Sequence, residues 1–419
     1  MGTSSECASF FVHNSAHGAF PVKNGEIMNA YRPCPVCKKN EVELLYTIKY
    51  PAEKDRILPV EYQIVSCFHC GMVFDTFDAD ESVFFRHYQN DGKYEMKTSY
   101  GAGGNNPSDL SRWEKITSSI EQFIKDKEAS IIDIGAGKGG LLSYLRDKGY
   151  TKLTGVDSSS NCVKYICDNH KIKAICADFN KLLLNEKYDL VILAQTLEHM
   201  YFCNDCLANI RNIMTDDGFL YLEVPDASRY LDCKHLPFYY FDHEHINHFQ
   251  KVSLENLLYV NGFKIIFCDQ FEIENVPGFI TPHLAAIAKK TDEIYNCITA
   301  RNDDTTVKNY IKESNIQDKQ LRRYDSGKKN GFIWGVGALC QRLLKNDFFI
   351  NCKISGLIDA DTKKQGNQIN GQTIYPPDIL SGIDTENTFV IITTALYEQE
   401  IREQLKMLNF KGDIVTLND

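Results

Sequence analysis

Long apolar runs are missing from this chain. No stretch of about eighteen apolar residues occurs, so no membrane-spanning helix is expected. The N-terminus has neither the basic block nor the apolar block of a secretory signal. Met1-Gly2 opens like a myristoylation site, but Glu6 stands where Ser or Thr is needed. Concentrated positive charge is missing too. The net charge is −10, and basic residues come as isolated pairs such as Lys38-Lys39 and Lys328-Lys329. That argues against nucleic acid as a partner, because a duplex requires a cationic face. A small phosphorylated substrate needs one or two placed cations and stays allowed. Tryptophan is scarce at two residues, but 22 Tyr and 24 Phe suit several buried cores. The 15 cysteines are odd in number and most fall in predicted strands and helices. Without an export signal they indicate a reducing, cytoplasmic setting. At 419 residues, two or three domains are expected.

What is present begins with Ile131-Ile-Asp-Ile-Gly-Ala-Gly-Lys-Gly-Gly140, an apolar run ending in an acid and then glycines, followed by the amphipathic Leu141–Arg146. This reads as strand, tight turn and helix. Backbone without Cβ atoms can turn sharply and lie against a ligand, and the helix start offers free N–H groups. A nucleoside-containing cofactor is expected there. The glycines also satisfy a dinucleotide fingerprint, so the pattern alone leaves the cofactor open. A second strand ends at Asp157, a third at Cys176-Ala-Asp178-Phe179, a fourth runs through Tyr188–Leu193 into Gln195-Thr-Leu-Glu198-His199, and a fifth covers Gly218–Val224.

Together, Asp133-x-Gly135-x-Gly137-x-Gly139, Val156-Asp157, Ala177-Asp178 and Leu197-Glu198-His199 resemble class I S-adenosylmethionine (SAM) methyltransferases over residues 113 to 285. The resemblance implies that the loop Asp133, Gly135, Ala136, Gly137 and Gly139 holds the methionine part. Asp157 would take the ribose hydroxyls, and Asp178 the adenine amino group with Phe179 beside the ring. Ser158 and Gln195 join the expected cofactor set. Each strand-end acid could instead cap the helix that follows it.

Cys34-Pro-Val-Cys37 and Cys67-Phe-His-Cys70-Gly71 form two Cys-x-x-Cys knuckles. Such a set suits a zinc held tetrahedrally by four thiolates with no open position, hence a structural ion. Residues 1–80 have few long apolar runs, and a zinc would supply the folding energy a small core cannot. His69 is expected to face solvent. Cys203-Asn-Asp-Cys206 has no second pair and reads as chance.

The densest polar-aromatic stretch is Leu236-Pro-Phe-Tyr-Tyr-Phe-Asp-His-Glu-His-Ile-Asn-His-Phe249. With the zinc knuckles it resembles the zinc-containing nucleotide-sugar C-methyltransferases. Those have an N-terminal four-cysteine zinc domain, a central SAM domain and a C-terminal Rossmann-like domain. Their Tyr-His-Glu-His segment maps onto Asp242-His243-Glu244-His245, with Asp242 in place of the tyrosine. The resemblance implies His245 as general base with Glu244 beside it, and His199 near the substrate. Tyr88 or Tyr94 would match the family's active-site tyrosine. Two rival readings stay open: a second metal held by His243, His245, His248, Asp242 and Glu244, and aromatic packing with satisfied histidines. The first is weakened because His243 and His245 alternate and face opposite ways in an extended segment.

After a last strand near Ala285–Lys289 the chain turns charged and helical. Gly331-Phe-Ile-Trp-Gly-Val-Gly337-Ala338 then opens a second doubly wound unit, with strands at Ile354–Asp359 and Thr388–Thr393 and a helix at 397–408. Cys340 replaces the third glycine, which disfavours a bound dinucleotide. A lid or nucleotide-substrate role is implied by the resemblance, and plain packing or dimerisation is the alternative.

The expected fold is therefore α/β: a zinc-binding domain over 1–110, a doubly wound SAM domain over 111–290 and a Rossmann-like domain over 291–419. The expected activity is methyl transfer from SAM to a small, nucleotide-linked keto-deoxysugar by a monomer or small homo-oligomer. O-methylation of a sugar or other metabolite, or a non-catalytic SAM-binding scaffold, are the alternatives.

Overall fold

The computed structural model describes residues 25–51, 57–90, 107–181, 184–233, 235–293, 300–321, 329–345 and 353–416. Its first four strands, β1 (Ile27–Asn29), β2 (Glu41–Lys49), β3 (Glu61–Cys67) and β4 (Val73–Thr76), form an antiparallel meander. Both of its faces are covered. Val42, Leu44, Val65 and Cys67 join a core shared with the central sheet, while Tyr62 and Ile64 face an aromatic cluster. The register shift between Leu44 and Tyr46 lets β2 serve both cores. Helix α1 (Glu81–Asn90) follows.

Helix α2 (Pro107–Ile120) leads into the central sheet. In chain order the elements that follow are β5 (Ser130–Ile134), α3 (Gly140–Asp147), β6 (Lys152–Asp157), α4 (Ser160–Tyr165), β7 (Lys173–Cys176), β8 (Tyr188–Ala194), α5 (Cys203–Ile213), β9 (Met214–Pro225), β10 (Asn247–His248), α6 (Lys251–Val260), β11 (Phe263–Val276) and β12 (Phe279–Lys290). The sheet runs β11-β12-β9-β8-β5-β6-β7. Strands β5 to β9 are parallel, and β12 runs antiparallel to both its neighbours. Leu190–Leu193 is buried throughout, as a strand covered on both faces requires. This is the doubly wound α/β arrangement expected. Strand β11 goes beyond that expectation, because its polar, half-exposed residues hide the strand pattern of a sheet edge.

Strand β10 does not join the central sheet. It pairs with β4, Asn247 opposite Phe74 and His248 opposite Val73, and so ties the Asp242–His245 loop to the N-terminal sheet. Helix α7 (Thr305–Leu321) also lies against that sheet, through Lys308 and Glu43 at 2.8 Å. Just before α7, Asn302 N–H donates to Cys70 O at 2.7 Å.

The remaining elements are β13 (Asn330–Trp334), α8 (Ala338–Lys345), β14 (Lys353–Ile358), β15 (Gln368–Ile369), β16 (Gln372–Tyr375), β17 (Thr388–Ile392), α9 (Glu398–Met407) and β18 (Asp413–Thr416). They form a sheet of order β15-β16-β14-β13-β17-β18, parallel except for β15. Leu236 from the aromatic loop is buried in its core, and Arg342 donates to Pro237 O at 2.7 Å. Among the described residues, no helix is long and apolar enough to cross a membrane.

Candidate active site

Strand β5 lies between β6 and β8, where the strand order reverses, and a crevice opens beyond the carboxyl ends of these strands. The turn after β5 enters the left-handed region at Gly135 (φ 79°), Gly137 (φ 53°) and Gly139 (φ 74°). Gly135 is also required sterically, since a Cβ there would stand 2.4 Å from Thr196 Oγ1. Gly139 caps α3. Asp157 locks the turn from the next strand. Its carboxylate accepts from Gly137 N–H at 2.8 Å and from Ser159 N–H at 2.8 Å. Burial pushes the Asp157 carboxyl up, against those two amides. The acid therefore fixes the next helix start and lines the cavity at once.

A cavity of about 420 Å³ opens on this turn. Asp133, Gly135, Ala136, Gly137, Asp157 and Ser158 form one wall. Burial pushes the Asp133 carboxyl up to about 7. Asp178 and the buried Phe179 line the side beyond β7, where Asp178 also pairs with Lys181 at 2.8 Å.

Gln195 and Thr196 complete the base of the cavity. Gln195 holds a left-handed φ of 55°, a conformation rare outside glycine and often found at functional sites. Its side-chain amide donates to Glu223 at 3.3 Å. Glu223 is fully buried and receives His283 Nδ1–H at 2.9 Å, with Arg112 at 3.6 Å. Burial pushes the Glu223 carboxyl up, but Arg112 and His283 outweigh it and hold it below its ordinary range.

The opposite side carries the histidines. Tyr88, reaching in from α1, places its hydroxyl 2.9 Å from His199 Nδ1. The same Nδ1 lies 2.9 Å from the Glu244 carbonyl. A carbonyl only accepts, so Nδ1 carries a proton. Nε2 faces Glu198 at 3.7 Å. Glu198 is fully buried, and desolvation raises its carboxyl to about 8, so it is protonated at neutral pH. The His245 ring stands edge-on to His199 with centroids 4.8 Å apart. Tyr88, Glu198, His199, Glu244 and His245 all line the cavity. Tyr94 lies outside the described residues.

The segment does not gather its histidines at one point. His243 turns away from His245 to stand over His87, with ring centroids 5.9 Å apart. His248 is fully buried between Asp75 at 3.1 Å and the Tyr230 hydroxyl at 3.3 Å, a structural position.

The four knuckle cysteines converge. Cys34 and Cys70 sulfurs are 3.5 Å apart, Cys37 and Cys67 sulfurs 3.4 Å, and all four lie within 4.8 Å of one another. Thiolates around a tetrahedral zinc stand about 3.8 Å apart, so the set fits such an ion. His69 is exposed and pairs with Glu41 at 2.9 Å. Cys203 and Cys206 are packed in the core.

Sequence reasoning missed Arg112, Glu223, His283 and His87 and gave Glu198 no role. A detectable signal existed for Glu223, an acid inside the apolar run Phe219–Val224. His283 and His87 carry no local signal.

Residues 110–266 match the family profile for a methyltransferase domain, and residues 327–415 match a C2185-like, N-terminal profile. The (S)-tetrahydroprotoberberine N-methyltransferase of Eschscholzia californica is 30% identical over 108 residues, 24% of this chain and 30% of that protein. The (S)-coclaurine N-methyltransferase of Papaver somniferum is 32% identical over 107 residues, 24% of this chain and 30% of that protein. The chain thus spans about a third of the length of the curated relatives it matches. Among solved structures, the Burkholderia thailandensis 1,6-didemethyltoxoflavin-N1-methyltransferase, determined with S-adenosylhomocysteine, is 15% identical. That match covers 58% of this chain and all of that one, with a TM-score of 0.41. The matched profile and the acid-locked glycine turn at the switch point agree: residues 110–266 are a SAM-dependent methyltransferase domain of the class I fold.

Proposed function

We propose that this chain transfers the SAM methyl group to a carbon of a small, nucleotide-linked keto-deoxysugar, with His245 as general base. The observation that carries this reading is the meeting of Tyr88, His199 and His245 on one side of the cavity whose other side is the Asp133–Asp157 turn. Bound SAM supplies an electrophilic methyl on a sulfonium. Asp157 would orient the ribose, Asp178 and Phe179 the adenine, and the glycine turn the methionine end. On the acceptor side, an imidazole removes a proton next to a carbonyl, a step typically worth 10²–10⁴-fold. Tyr88 and the protonated Glu198 supply donors to the resulting oxyanion. Holding nucleophile and methyl in line does the rest.

The four knuckle cysteines would hold a structural zinc in the 1–110 region. The 291–419 region reads as a Rossmann-like domain acting as a lid. Leu396 lines the cavity and Leu236 is gripped in that domain's core, which supports this. Helix α7 is assigned to the same region, although it leans on the N-terminal sheet.

The test uses ¹³C-methyl SAM and a keto-sugar nucleotide, with the label located by NMR. A carbon-bound methyl is expected. The relatives named as N-methyltransferases favour a second reading, a small amine acceptor, which an N-bound methyl would reveal. His245→Ala should abolish turnover and leave SAM affinity within about twofold. Unchanged turnover removes His245 from the mechanism. A chain that binds SAM and methylates no sugar, hydroxyl or amine acceptor would be a scaffold.

A further inference from the structure

We infer that His87, His243 and Glu244 form a binding site for a divalent transition-metal ion, separate from the four cysteines and from the methyl-transfer histidines. The three come from distant parts of the chain. His87 lies in the last turn of α1, and the other two lie in the loop that β10 fastens to the N-terminal sheet. Their ligand atoms stand within 4.8 Å of one another. His87 Nε2 and Glu244 Oε1 are 3.5 Å apart. Two ligands bound at about 2.1 Å with tetrahedral angles stand about 3.4 Å apart, so this pair already has the spacing of two neighbouring ligands.

Three further features fit an ion better than a simple ion pair. His243 Nδ1 faces Asp242 Oδ1 at 3.2 Å, which leaves Nε2 directed elsewhere. A carboxylate behind one ring nitrogen is the usual support of a metal-bound histidine. The site is also shielded: the side chains of His87, His243 and Glu244 are 16%, 17% and 6% exposed. Finally, the local charge leans negative. Glu244 and Asp242 bring two carboxylates to a pair of imidazoles.

Two imidazoles and one carboxylate suit zinc, cobalt or iron(II) and are a poor cage for calcium or magnesium, which prefer oxygen. Three protein ligands leave open positions for water or an acceptor oxygen. Glu244 itself lines the cavity, so an ion here would sit one side chain from the acceptor. The inference does not rest on the sugar reading, or on methyl transfer at all.

The experiment equilibrates the full chain with Zn²⁺, removes loosely held metal by gel filtration and counts metal by mass spectrometry. Two zinc ions per chain are expected in the wild type. One is expected in His87→Gln and in His243→Ala, each with SAM affinity within about twofold of wild type. One ion in the wild type, or two in either variant, overturns the site. If a variant fails to bind SAM, Co²⁺ added to wild type stripped to the single zinc of its four cysteines decides. Ligand-field absorption without thiolate charge transfer supports the site, and no spectral change refutes it.

Discussion

Two strands in this chain end in an acid that accepts a hydrogen bond from a glycine-bearing turn. Asp157 takes Gly137 N–H at 2.8 Å, and Asp359 takes Val336 N–H at 2.9 Å. The first opens on the cavity. The second is closed by the chain itself: Lys364 Nζ sits 3.1 Å from Asp359 and 3.1 Å from Val336 O. The difference teaches that strand, glycine turn and acid do not by themselves make a cofactor site. What separates the two is whether the acid's charge is already met by a lysine of the same domain.

The largest separation is expected from alanine in the two turns. Gly135→Ala puts a Cβ onto Thr196 at a left-handed φ, and should weaken SAM binding at least 100-fold by calorimetry, on the order of 3 kcal/mol. Gly337→Ala meets no atom within 4 Å and should change neither SAM affinity nor stability measurably. If both behave alike, the contrast fails.

Next come the acids. Asp157→Asn removes charge-assisted bonds and should cost roughly 1.5–3 kcal/mol of SAM affinity. Asp359→Asn should leave SAM affinity unchanged and lower the melting temperature by a few degrees.

The first crevice should also impose a pH dependence. Glu198 rises from its ordinary 4.5 to about 8 on folding because of burial. A raised acid contributes stability that is fully present below about pH 4.5 and lost as pH climbs through 8. Glu198→Gln should match wild type at low pH and exceed it above pH 8, by on the order of 1–3 kcal/mol in denaturant melts. Identical curves would mean Glu198 is charged at neutrality. The smallest effect belongs to Lys364→Met. The lysine is part-exposed, so its loss should cost less than about 1 kcal/mol, with SAM affinity unmoved.

Much of the first crevice was legible because its signals are local. Asp133, the glycines and Asp157 sit within one strand–turn–helix, and Cys34, Cys37, Cys67 and Cys70 show their pairing by spacing. What stayed hidden depends on partners far apart in sequence. Glu223 meets His283 because β9 and β12 pair antiparallel, and Tyr88 meets His199 from α1, whose Phe84 packs on Phe77 and Tyr201. Strand β10 has two residues, too few for any periodicity. The edge strand β11 shows an uneven burial pattern that propensity alone does not resolve.

That two-residue strand joins distant chemistry. Asn247 and His248 hydrogen-bond to the sheet that carries Cys67, while the residues just before them hold the acceptor-side imidazoles. If the knuckles hold zinc and His245 is the base, as proposed, removing the ion should lower turnover before it lowers SAM affinity, because the loop that carries the imidazole is fastened to the sheet the knuckles brace and the cofactor turn is not.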